Sequence, residues 1–330
     1  MAHRSDAEQT PRPSAGRQEA QEGLGVGEVT TNATRTQAAV GTAKKTRPQT
    51  TLKKEIALEG IGIHTGEASC LTLKPAAADS GYVCIRTDLE GKPRIPARLD
   101  MVTATVRSTN VGREDVEVHT VEHVLSALNG LDVDNAEILV DGPEPPVVDG
   151  ASLGFAEAIR KAGVVEIEGS ALERLTLAAP VESASGDIAY RAAPIDDPEA
   201  LEIKVVYSHE RSFIGTQTLE LSLTNENYLS QIAPARTFSF EYEIEHLHAH
   251  GLAKGGSFEN AVVIADDDSI ANPEGLRFED EFVRHKALDL IGDLALLGRS
   301  LRGLRIEAVR GGHHMNVAFA RRLEEIQAKR

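Results

Sequence analysis

The run Arg284-His285-Lys286-Ala287-Leu288-Asp289-Leu290-Ile291-Gly292-Asp293 concentrates residue types that do chemistry. His285, Asp289 and Asp293 are spaced i, i+4 and i+8, so a helix would set them on one face. Phe282, Leu288, Leu290, Ile291, Leu294, Leu296 and Leu297 surround them, and much of such a helix should be buried. A buried His with two carboxylates is costly unless the groups are paired or bind a cation. A His and an Asp one turn apart can reach a single metal ion; an ion-paired structural His fits the same pattern.

Further constellations lie elsewhere. In Glu122-His123 the side chains of a helix would point about 100° apart, so the two cannot both be ligands in one direction. If His123 held a metal, Glu122 could reach a water beside it, as in zinc hydrolases. A solvated Glu next to a core His is the plain alternative. His123 with His285 and Asp289 would make a two-His, one-Asp set, which suits Zn²⁺ and also admits iron. Gly312-His313 after a strand suits a general acid or base, and Asp293 could pair with it and hold it protonated. The alternative is a surface turn, and His314 leaves open which ring points inward. In Ala235-Arg236-Thr237-Phe238, a hydroxyl beside an aromatic suits polarising a carbonyl and packing a sugar ring. His246, His248 and His250 would share a face in a strand, but their neighbourhood reads as a helix with a solvated face, where i and i+2 diverge.

These residues need elements to position them. The 330 residues suffice for about two domains, and 41% are hydrophobic. The net charge of −16 and pI near 5.2 argue against a nucleic-acid scaffold. Cys70 and Cys84 read as buried thiols, not a disulfide framework. With no transmembrane-length run and no apolar signal core, we expect a cytoplasmic protein without stable membrane insertion, and a monomer. Residues 1–48 have few large apolar groups and should be a disordered tail. Strand patterns follow at 52–58, 68–73, 82–86, 116–118 and 136–140, with helices at 120–128, closed by Asn129-Gly130, and at 152–162, with Ser152 as N-cap. A second unit from about 171 shows strands at 172–177, 188–192, 201–207, 216–223, 261–265 and 304–309. Its helices are at 241–250, around His285, and after His314. Each half mixes strands with about two helices, an α+β arrangement.

Taken in order, these pieces resemble the zinc-dependent UDP-3-O-acyl-N-acetylglucosamine deacetylases of lipid A biosynthesis. The matching stretches are Gly60-Ile61-Gly62-Ile63-His64-Thr65-Gly66, Thr120-Val121-Glu122-His123, Asp134-Asn135, 143–150, 235–238, Gly255-Gly256-Ser257, 275–286 with Asp289 and Gly292-Asp293, then Gly312-His313 and Asn316. They span about 51–325. The resemblance implies that His123, His285 and Asp289 hold Zn²⁺ and that Glu122 is the general base. It implies that His313, held by Asp293, is the cationic acid, and that Thr237 steadies the oxyanion. Lys286 would meet the nucleotide phosphates, Phe238 the sugar and Tyr207 the uracil, with Gly256 a further substrate contact. The implied fold has two similar α+β domains, 49–168 and 169–330. Each is a small, mainly antiparallel sheet with two helices, packed as a two-layer sandwich with the helices between the sheets. Each domain has one insert, and the second, about 238–275, would form a passage for the acyl chain. The reaction implied is hydrolysis of the N-acetyl group of an acylated UDP-N-acetylglucosamine to acetate and the free 2-amino sugar nucleotide. The long tail departs from the family pattern. Thr109 stands where some members have a cysteine near the metal, so no thiolate ligand is expected.

Overall fold

The computed structural model describes residues 47–210 and 213–328; of the expected tail, all but Arg47 and Pro48 lies outside them. The described residues open with β1 (Thr50–Leu52), β2 (Ile56–Ile61), β3 (Ala68–Pro75), β4 (Tyr82–Arg86), β5 (Arg94–Pro96), β6 (Val102–Ala104), β7 (Asn110–Arg113) and β8 (Val116–Val118). Helix α1 (Glu122–Gly130), β9 (Ala136–Val140), α2 (Leu153–Ala162) and β10 (Val164–Glu166) follow. Next come β11 (Val181–Ser185), β12 (Ile188–Pro194), β13 (Leu201–Ser208), β14 (Thr216–Ser222) and the single turn α3 (Asn225–Asn227). The last group is β15 (Phe238–Phe240), α4 (Glu241–Ala249), β16 (Val262–Ile264), α5 (Glu281–Ala295), β17 (Leu304–Val309) and α6 (His313–Ala328).

Two five-stranded sheets carry the fold. The first has the order β2-β3-β9-β4-β5, the second β11-β12-β17-β13-β14. Each has a single parallel pair, β4 with β9 and β13 with β17; the other pairs are antiparallel. In β3 the inward Ser69, Leu71 and Leu73 alternate with more exposed residues, the period of a half-buried strand. In β4 all five residues are buried, as suits a strand flanked on both edges. One apolar core runs from Leu71 and Ile138 through Val124, Phe155, Leu288 and Phe319 to Tyr190 and Ile306. The helices therefore fill the space between the sheets. A smaller cluster of Ile214, Phe240, Val262, Ile264 and Phe282 supports the parallel pair β15–β16 around α4. Among the described residues no helix is long and apolar enough to cross a membrane.

The structure corrects several expectations. The expected strand 52–58 is two strands, broken at the exposed Lys53-Lys54-Glu55, where Lys53 N–H turns to Gly163 O at 2.8 Å. Segment 172–177 makes a lone bridge, Arg174 with Ser300, rather than a strand. The sequence pattern does not predict the short strands β5, β6, β7, β10 and β11. Helix α1 does not close at Asn129-Gly130 but runs through them. Gly130 is used for packing: a Cβ there would lie 2.4 Å from Tyr228 Cδ2. Ser152 occupies the N-cap of α2, yet its hydroxyl donates to His123 O at 2.8 Å and caps nothing. Both cysteines are free, but Cys70 is only half-buried because it faces outward on β3.

Candidate metal centre

Helices α1 and α5 cross at a glycine. A Cβ on Gly292 would lie 2.1 Å from Glu122 O, so only glycine admits this approach. The crossing brings His123, the second residue of α1, against His285 and Asp289 on α5. One ligand atom from each lies within 4.8 Å of the others. The rings of His123 and His285 meet edge to face, 5.2 Å between centroids.

The protonation of this trio can be read from its partners. His285 Nδ1 lies 3.1 Å from Ala235 O, a contact that requires Nδ1 to carry the proton and leaves the Nε2 lone pair free. Nε2 sits 3.4 Å from Asp289 Oδ1. Burial lowers the pKa of His285 and takes His123 down to about 3, so both rings are neutral. For Asp289 burial acts the other way, but the cationic Lys286 and His313 beside it outweigh burial and hold the carboxyl well below the usual range. Two neutral imidazoles and an ionised carboxylate are the states a metal needs from its ligands. His123 Nδ1 and Asp289 Oδ1 are buried with no hydrogen-bond partner. Polar atoms orphaned in a core are costly, and a cation between these groups would satisfy Asp289 directly. The residues fit a divalent metal of the zinc class.

A second pair flanks the trio. Glu122 is buried, which pushes its carboxyl up to about 8 despite the pull of His313. Its Oε2 accepts the Thr109 N–H at 2.9 Å. His313, the first residue of α6, points Nδ1 at Asp293 Oδ2, 3.0 Å away. Its Nε2 lies 3.8 Å from Glu122 Oε1 and 3.9 Å from Asp289 Oδ2. Burial alone would lower its pKa, but Asp293, Asp289 and Glu122 outweigh burial and raise it to about 10. The pocket thus sets a carboxylate with raised proton affinity beside an imidazolium kept charged at neutral pH.

The aromatic residues line up beside His285. Phe238 lies 6.1 Å from the His285 ring and 5.6 Å from Tyr207 on β13. Lys286 Nζ stands 5.3 Å above the Phe238 ring and donates to Asp289 Oδ2 at 2.9 Å. Half-buried Thr237 lies in the same segment, its N–H on Gly150 O and its carbonyl accepting from Val262. Arg236 anchors that segment to α5. Its guanidinium and its own N–H both donate to Glu281, with both residues almost wholly inaccessible. Gly256 is set apart, exposed in a loop that meets Ile63 and His64. Its neighbour Gly255 is the glycine with a steric reason: a Cβ there would lie 2.2 Å from Gly62 O. His246, His248 and His250 ride on α4, where His250 Nδ1 bonds to His246 O, and among the described residues they form no metal cluster.

Sequence reasoning gave Thr109, Asn316 and Tyr190 no role. Thr109 and Asn316 both donate to Asp293, at 2.6 and 2.8 Å, and Tyr190 OH donates to Asn316 Oδ1 at 2.5 Å. Only Asn316, three residues beyond His313 on one helix face, carried a local signal.

Comparison with known proteins identifies the chain's family. Residues 49–325 match the model of the family described as UDP-3-O-acyl N-acetylglycosamine deacetylase. A UDP-3-O-acyl-N-acetylglucosamine deacetylase from Anaeromyxobacter sp. (strain Fw109-5) is 42% identical over 275 residues, 83% of this chain and 88% of its own. One from Phenylobacterium zucineum (strain HLK1) is 44% identical over 277 residues, 83% of this chain and 92% of its own. With the match covering most of the chain, the protein belongs to the UDP-3-O-acyl N-acetylglycosamine deacetylase family.

Proposed function

We infer that this deacetylase removes the N-acetyl group of UDP-3-O-[(3R)-3-hydroxyacyl]-N-acetylglucosamine, in lipid A biosynthesis, at a Zn²⁺ site formed by His123, His285 and Asp289. The observation that carries the reading is the pair of opposed proton carriers, Glu122 and His313, flanking that three-ligand set. Bound there, the metal would acidify water toward a pKa of about 7, polarise a carbonyl, and draw the Glu122 carboxyl back toward its ionised form. Glu122 takes a proton from the attacking water as its oxygen bonds to the acetamide carbon. The Thr237 hydroxyl donates to the carbonyl oxygen as negative charge develops there. The C–N bond then breaks, and His313 Nε2 gives its proton to the leaving nitrogen, which would otherwise depart as an amide anion. Asp293 keeps the imidazolium charged and oriented for that transfer. Acetate and the free 2-amino sugar nucleotide result.

Phe238 would pack on the sugar, Lys286 would meet the diphosphate and Tyr207 the uracil, consistent with their shared cluster beside His285. Gly256 and the 238–275 segment would lie along the rest of the substrate, the segment holding the acyl chain. We read the chain as two domains, 49–168 and 169–330, acting as a cytoplasmic monomer on a small molecule and not on nucleic acid. Glu122→Ala and His313→Ala test the assignment. Each should lose about 10²-fold or more in kcat with zinc retained, and near-normal kcat in either would remove that residue from the mechanism.

A further inference from the structure

Thr109 is fully buried and directs all three of its polar groups to catalytic or adjoining elements. Its N–H donates to Glu122 Oε2 at 2.9 Å, and its hydroxyl donates to Asp293 Oδ1 at 2.6 Å. Its carbonyl accepts the N–H of Val121, the residue preceding α1, at 3.0 Å. The hydroxyl must be the donor, because an ionised carboxylate only accepts. One residue just before β7 thus ties the proposed base on α1 to the carboxylate on α5 that holds the proposed acid.

The bonds at Asp293 divide by oxygen. Oδ2 accepts from His313 Nδ1 and from Asn316 Nδ2; Oδ1 accepts from Thr109. Tyr190 OH fixes Asn316 in turn. Without the Thr109 hydroxyl, Oδ1 is left a buried acceptor with no donor. The carboxylate then gains by turning, and turning carries Oδ2 away from His313. A shift well under 1 Å matters here, because proton transfer depends steeply on donor and acceptor geometry.

We propose that Thr109 is a positioning residue for the reaction, setting Glu122 through its N–H and His313 through its hydroxyl and Asp293. This rests on the acid and base roles given above. The hydroxyl arm is testable because Thr109→Val keeps shape and N–H while Thr109→Ser keeps the hydroxyl. In zinc-loaded enzyme, Thr109→Val should lower kcat about 10-fold or more with KM changed less than about 2-fold, a fraction of the loss expected for removing the acid itself. Thr109→Ser should restore it. In an Asp293→Ala background Thr109→Val should change kcat by less than about 2-fold, because the side chain that links Thr109 to His313 is gone. A buried residue with a merely structural role would give multiplying losses in that pair.

A second readout is independent of turnover. In protein labelled with ¹⁵N-histidine, the Nδ1–H signal of His313, assigned by its loss in His313→Ala, should shift or broaden in Thr109→Val and not in Thr109→Ser. Unchanged kcat with an unchanged signal in Thr109→Val would overturn the proposal, as would multiplying effects with Asp293→Ala. If the wild-type enzyme failed to turn over, the functional reading would fall, while the His313 signal would still decide whether Thr109 holds the imidazole.

Discussion

Asp293→Asn isolates the charge that keeps His313 protonated. The substitution keeps shape, and the surrounding donors dictate how the amide sits. Two N–H groups, from His313 and Asn316, point at Oδ2, so the amide oxygen must take that side. The amide NH₂ then faces the Thr109 hydroxyl, which can turn to accept it. The His313 hydrogen bond therefore survives and the negative charge is lost. Opposite unit charges about 4 Å apart interact by about 4 kcal/mol at the effective dielectric found for protein sites, equal to about 3 pKa units. Asp289 and Glu122 also contribute to raising His313 to about 10, and burial opposes them. Removing Asp293 should thus lower the imidazole by on the order of 2–3 units. The sign is fixed: the acid must be protonated, so activity falls as pH rises through this pKa, and the alkaline limb must move down. The assay is the pH dependence of kcat/KM for acetate release by zinc-loaded enzyme, which reports the free enzyme. The acidic limb, set by ionisation of Glu122, should move much less. An alkaline limb left within about half a unit of wild type would refute the assignment of Asp293 as the partner that holds the acid charged.

Two further substitutions test how the fold positions this chemistry. Gly292→Ala inserts a Cβ at 2.1 Å from Glu122 O. It should destabilise by about 1–3 kcal/mol through overpacking and cut kcat/KM by about 10²-fold through misplacement of Glu122 and His123, read by thermal unfolding and initial rates. Arg236→Leu leaves Glu281 buried with backbone N–H donors but no counter-ion, and should cost about 3–5 kcal/mol in denaturant unfolding; a loss below about 1 kcal/mol would show the pair to be replaceable.

The parts of this site that were legible in sequence are those with a period. His285, Asp289 and Asp293 share a helix face in the structure because their spacing follows the helix, and apolar neighbours made its burial plain. Strands such as β4, β8, β9 and β17 were legible because their apolar runs end at turn residues or change of period. Thr109 was not legible as a connector: it reaches Asp293 across 184 residues of sequence, a distance no local pattern encodes. Gly130 and Gly292 show the opposite difficulty. In sequence a helical glycine signals an end or a weakness, whereas here each marks a place where a neighbour comes too close for a side chain. Ser152 illustrates competition for one group, since a hydroxyl suited to capping α2 is drawn to the backbone of His123 instead. His313 was expected in the turn after β17, whereas its ring sits at the start of α6.

The central claim is that His123, His285 and Asp289 hold one metal ion required for deacetylation. The most direct test is to measure bound zinc and acetate release together, on acylated UDP-N-acetylglucosamine, for chelated enzyme, zinc-restored enzyme and His123→Ala. We predict turnover that rises with zinc to about one equivalent, consistent with a single catalytic site of three protein ligands. Chelated enzyme and His123→Ala should show neither bound zinc nor turnover. Full zinc occupancy in His123→Ala, or undiminished turnover after chelation, would contradict the account.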